Sequence, residues 1–185
     1  MAPNGAGTHP EELRRLDRLV FSKIATLVEG FARRHRLLIR KYYHDGSSWD
    51  LAFRRKAGGT GQIEVVLTNP GISVSLPETT KIFSELPPRI EFKVFAACWM
   101  DNYTTRMRSS RHQEVGMFQC GADPSEKLVK LLELALKEIL DWEPSDLTER
   151  SGPNQWQNTW KTEEEFEKAS SATLIGGKMV SLPLL

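Results

Sequence analysis

The chain has 185 residues, 39% of them hydrophobic and 26% charged, a globular balance over a length that suits one domain and a tail. A formal net charge of +1 is too near neutral for a whole-chain polyanion binder, and two cysteines, Cys98 and Cys120, make neither a disulfide framework nor a CxxC metal pair. The charge is uneven: residues 1–60 carry 12 Lys/Arg against 6 Asp/Glu, whereas residues 121–185 carry 7 against 12. A basic front and an acidic back suit attraction within the chain, to another copy or to a partner.

Met1–Thr8 lacks the basic and apolar regions of a signal peptide, and no apolar run approaches the roughly 20 residues of a membrane span. The expectation is a cytoplasmic chain with no membrane contact. Residues 1–8 read as disordered, 9–144 as an α+β domain, and 145–185 as a C-terminal extension that docks on the domain or on a partner.

Thr8-His9-Pro10-Glu11 reads as a helix start, with Thr8 and Glu11 placed as a capping box. Leu13, Leu16, Val20, Ile24, Leu27 and Phe31 follow at spacings of three and four, one apolar face running to about Arg36. From Leu37 the period changes to two. Leu37–His44 predicts a strand, Asp45-Gly46 a hairpin turn, and Trp49, Leu51 and Phe53 the return strand. Gly58-Gly59-Thr60-Gly61 makes the next turn, Ile63–Leu67 the third strand, and Ile72–Leu76 a fourth after Asn69-Pro70-Gly71. Glu78–Leu86 predicts a short helix between prolines.

The sheet resumes at Ile90. Phe92, Val94, Ala96 and Cys98 line one face; opposite them Glu91 and Lys93 give way to Phe95, Ala97 and Trp99, so this second face needs a cover near its end. Tyr103–Ser109 and Val115–Cys120 read as two more strands. Asp123–Glu126 repeats the helix-start signature, and Leu128, Leu131, Leu132, Ala135, Leu136 and Ile139 make the broadest apolar helix face in the chain. Beyond Pro144 a polar stretch carries Trp156 and Trp160, followed by a short acidic helix over Thr162–Ser171 and an apolar strand or docking segment from Leu174 to Leu185. The fold class is therefore α+β: an antiparallel sheet of six to seven strands flanked by an N-terminal and a C-terminal amphipathic helix, with a polar C-terminal tail.

Chemistry is harder to read. The glycine run at 58–61 lacks the Lys-Ser/Thr and following helix of a phosphate loop, so it reads as a hairpin. His9, His35, His44 and His112 show no metal spacing; Cys98, His112 and Glu114 are the weak candidates for an enzyme pocket between sheet and long helix. No catalytic residues, metal or cofactor are assigned. Two binding readings compete. In the leading one the chain is a non-catalytic protein-binding or adaptor module, contacting a partner through Trp99, Trp156 and Trp160; a helix would put the last two on one face. In the other, Arg54, Arg106 and Arg108 on the sheet bind phosphate or nucleic acid, with aromatic rings for stacking. The apolar helix faces leave a homodimer open.

Overall fold

The computed structural model describes residues 10–42, 47–68, 91–119, 125–149 and 160–185. The helix α1 spans Pro10–His35, and its Ile24, Val28 and Phe31 are buried at the spacing that puts them on one stripe. It ends where Arg36 turns left-handed (φ 56°), so that the Arg36 and Leu37 amides reach back to the carbonyls of Arg33 and Ala32. That pairing satisfies carbonyls the helix would leave open and aims the chain at the first strand.

Six strands follow the helix: β1 Leu38–Tyr42, β2 Ser47–Arg54, β3 Thr60–Thr68, β4 Glu91–Asp101, β5 Arg108–Gln119 and β6 Thr148–Glu149. They lie side by side in chain order, every neighbour antiparallel. Between β5 and β6 the helix α2, Ser125–Asp141, crosses the sheet. Both helices pack on the same sheet face. There Trp49, Leu51, Phe53, Ile63, Val65, Phe92, Val94 and Cys98 meet Phe31 of α1 and Leu128, Leu132 and Ile139 of α2 in one closed core. Alternation along each strand is what sends these side chains to one face. Gly61 marks the tightest approach: a Cβ there would lie 2.6 Å from the Phe53 ring and 2.7 Å from Ile139.

The α+β class, the antiparallel sheet and the helices beside it are as the periodicity implies. Several local expectations change. The stretch from Tyr103 is not a strand: the Asn102 side chain accepts from the Thr105 amide, the Asn102 amide donates to Met107, and Arg106 takes φ 57°. A polar residue closing its own turn outcompetes the strand alternation. The strand after it is longer than the expected Val115–Cys120, because the polar run Arg108–Glu114 also pairs with β4, through a bulge at Val94/Phe95. The two-residue β6 carried no periodic signal at all. The expected Asp45-Gly46 turn, Ile72–Leu76 strand and Glu78–Leu86 helix lie outside the described residues.

The C-terminal segment is more structured than a single strand. The helix α3, Glu163–Ser171, begins at Thr162, whose hydroxyl accepts from the Glu165 amide. Then β7 Ala172–Ile175 and β8 Lys178–Ser181 pair as a hairpin across Gly176-Gly177. Both glycines have positive φ (55° and 78°), the twist a two-residue hairpin turn demands.

Candidate functional site: the cleft between sheet and C-terminal hairpin

The helix-free face of the sheet is built from the alternate residues. In register across the strands lie Ala52, Gln62, Ala97 and His112; beside them Arg40, Asp50, Glu64, Phe95 and Glu114; and at the end of the sheet Arg54, Thr60, Trp99 and Ser110. The middle of this face is of mixed charge. Arg40 hydrogen-bonds Gln62 and Thr173 (3.2 Å) and sits 3.6 Å from the Asp50 carboxylate. Gln62 donates to Glu64 (2.8 Å), and the other Glu64 oxygen lies 3.2 Å from His112 Nε2, whose ring stacks on Phe95. Burial raises the Asp50 carboxyl to about 6; Arg40 opposes the shift and Glu64 adds to it. Glu114 faces Lys93 at 3.9 Å, so His112 and Glu114 do not pair with each other.

The C-terminal segment covers the apolar end. Beyond the last β1–β2 pair the edge of β2 is open, and the chain end fills it as a parallel bridge, Leu184 beside Arg54. The Arg54 amide donates to Pro183 (2.7 Å), Leu185 donates to the Arg54 carbonyl (2.9 Å), and Lys56 donates to Leu185 (2.8 Å). Leu182 is buried alongside. Trp160 is also buried, 7% exposed, and meets Phe166 of α3 edge to face. Phe166 in turn packs on Tyr103, over which Arg106 stacks at 4.5 Å. This aromatic cluster ties α3 to the β4–β5 loop; of Phe95, Ala97 and Trp99, which were expected to need a cover, Trp99 faces the C-terminal segment across the cleft and Phe95 stacks on His112.

Between the two layers remains a cleft of about 550 Å³. Arg40, Ala52, Arg54 and Trp99 line its sheet side; Trp160, Phe166, Ser170, Thr173, Leu174 and Met179 line the other. Gly58 and Gly59 form its rim. Gly59 has φ 79°, and a Cβ there would strike the Trp99 carbonyl and Met100, so the β2–β3 turn is held against β4. Arg108 binds Asp101 through two bonds (2.6 and 2.7 Å) and its guanidinium lies 5.6 Å from the centre of the Trp99 ring.

Of the residues singled out from the sequence, Arg54, Trp99, Arg108 and Trp160 line this one cleft. Arg106 stands outside it on Tyr103, and Trp156 lies outside the described residues. Trp160 precedes α3 and belongs to none of the described helices; the expected shared face involves Trp156 and so lies outside the described residues. The space between the sheet and α2 is filled: Cys98 and Ile139 are fully buried there, and burial raises the Cys98 thiol. In the sequence Arg40 and Arg55 stand in a basic cluster without a place in the fold, and Phe166 and Ser170 carry no signal that would single them out. Arg55 belonged to a visible basic run, but nothing in that run signals that it turns inward. Among the described residues no three His, Cys, Asp or Glu side chains gather as a metal site requires, and no helix is long and apolar enough to cross a membrane. Comparison of the chain with protein-family models, with curated proteins and with solved structures found no match.

Proposed function

We propose that the protein is a non-catalytic protein-binding module whose partner docks on the C-terminal hairpin. The supporting observation is one exposed apolar pair. Leu174 and Met179 are cross-strand partners on β7 and β8, 63% and 61% exposed. Leu184, 56% exposed, follows them, so half of the large hydrophobic side chains left exposed among the described residues fall in this last stretch. Concentration of that kind marks a contact surface rather than scattered surface leucines. On neighbouring α3, Glu163, Glu164, Glu165 and Glu167 are all exposed. A partner with an apolar centre and a basic rim complements such a surface.

The hairpin takes over the role first given to the tryptophans, because Trp160 is occupied within the chain. The nucleic-acid reading has less support. Arg106 and Arg108 are engaged with Tyr103 and Asp101, and the middle of the sheet face interleaves acids with bases.

Leu174→Asp with Met179→Asp tests the proposal, since both side chains are exposed and the fold should survive. Affinity capture from the native organism's lysate at high salt should retain a protein on the wild-type chain. The double variant should bind that protein at least about tenfold more weakly, with an unchanged circular dichroism spectrum. Undiminished retention, or no protein retained by the wild type, contradicts the reading.

A further inference from the structure

We propose that the cleft beneath the hairpin binds a small organic anion in which a carboxylate or phosphate is joined to a flat apolar ring. The charge of the lining carries the argument. Three arginines, Arg40, Arg54 and Arg108, stand on this face against one lining carboxylate, Asp101. Asp101 neutralises Arg108, and Asp50, just outside the lining, faces Arg40. Arg54 has no ion-pair partner among the described residues.

Arg55, only 3% exposed, is turned the other way: its two Nη groups donate to Cys98 Sγ (2.8 Å) and to the Trp142 carbonyl on the core side of the sheet, so its charge does not face the cleft. The donor inventory of the cleft itself points to an acceptor. Arg40 Nε and Ser170 Oγ are buried without a hydrogen-bond partner among the described residues, and both residues line the cleft. A guanidinium N–H and a hydroxyl call for an acceptor-rich guest. Trp99, Trp160 and Phe166 supply rings, and Ala52, Ala169 and Gly58 are small residues of the same lining. A volume of about 550 Å³ is of small-molecule size.

Leu174 and Met179 border both this cleft and the partner surface, so the cleft is tested on the purified full chain, with no partner present. Isothermal titration with naphthyl phosphate, naphthol and inorganic phosphate separates ring from charge. Naphthyl phosphate should bind saturably at one site, at least about tenfold tighter than either control, and more weakly as salt rises. Arg54→Ala, an exposed position whose backbone pairing is kept, should weaken it about tenfold. Ala169→Trp, which fills the cleft from α3, should abolish it. The proposal is overturned by no saturable heat up to about 1 mM, by equal affinity for naphthol and naphthyl phosphate, or by unchanged affinity in both variants with circular dichroism intact.

Discussion

Asp50 shows how one residue answers to its surroundings. It stands on β2 between Arg40 and Glu64, 8% exposed, and burial lifts its carboxyl from 3.8 to about 6. Between those values the folded chain holds a proton that the unfolded chain has released. The contribution of this group to stability therefore falls as pH rises from about 4 to 6, by on the order of 2 kcal/mol. Asp50→Asn removes that dependence. Urea unfolding at pH 4 and pH 7 should show the variant gaining on the wild type by about that amount toward pH 7; a difference independent of pH would mean that Asp50 is not shifted. Individual residues were the least legible level in the sequence. Asp50 alternates with core residues like any solvent-facing acid, and only its cross-strand neighbours, unknown before register is set, make it unusual. Arg54, Trp99 and Arg108 could be picked as chemically apt, but the pairing of Arg108 with Asp101 depends on a loop whose polar residues close on one another.

At the scale of elements, α3 and the segment leading into it are held by aromatic contacts rather than by helix strength. α3 is nine residues long, none of them buried, and such a helix is marginal alone. Its position rests on Trp160 against Phe166 and Phe166 against Tyr103. Trp160→Ala should then destabilise the folded chain by about 3 kcal/mol in urea unfolding, the usual range for emptying a buried aromatic site. A variant of wild-type stability would show that Trp160 does not anchor the segment. Long periodic elements were legible because they obey one rule over many residues: Ile24 and Phe31 of α1, the apolar face of α2 and the alternate residues of β2–β4 are buried as their spacing implies. The hairpin β7–β8 was written in the sequence as Gly176-Gly177 between two apolar stretches, and the strand-like composition around it concealed the turn. β6 is two residues long and is defined by its partner β5 alone, so no reading of its own sequence finds it.

For the whole molecule, the sheet separates two environments. One face, under α1 and α2, is a dry core; the other is a polar network at its centre and an apolar end covered by residues 160–185. The need for a cover was visible in Phe95, Ala97 and Trp99, whereas its identity required knowing that β2 has an open edge at Arg54. Both the cleft and the exposed Leu174–Met179 pair exist only because the C-terminal segment folds back onto its own sheet. Native-state amide hydrogen exchange tests that claim most directly. The Arg54, Lys56, Leu182 and Leu185 amides donate to Pro183, Leu185, Ser171 and Arg54 respectively, and Arg54 and Lys56 can gain those bonds only from the docked segment. In the isolated full chain all four should exchange at least about a hundredfold slower than in an unstructured peptide, and Arg54 and Lys56 should lose that protection in a chain ending at Glu149. Exchange of these amides at the unstructured rate in the full chain would mean that the segment does not dock, and would contradict both the hairpin surface and the anion cleft.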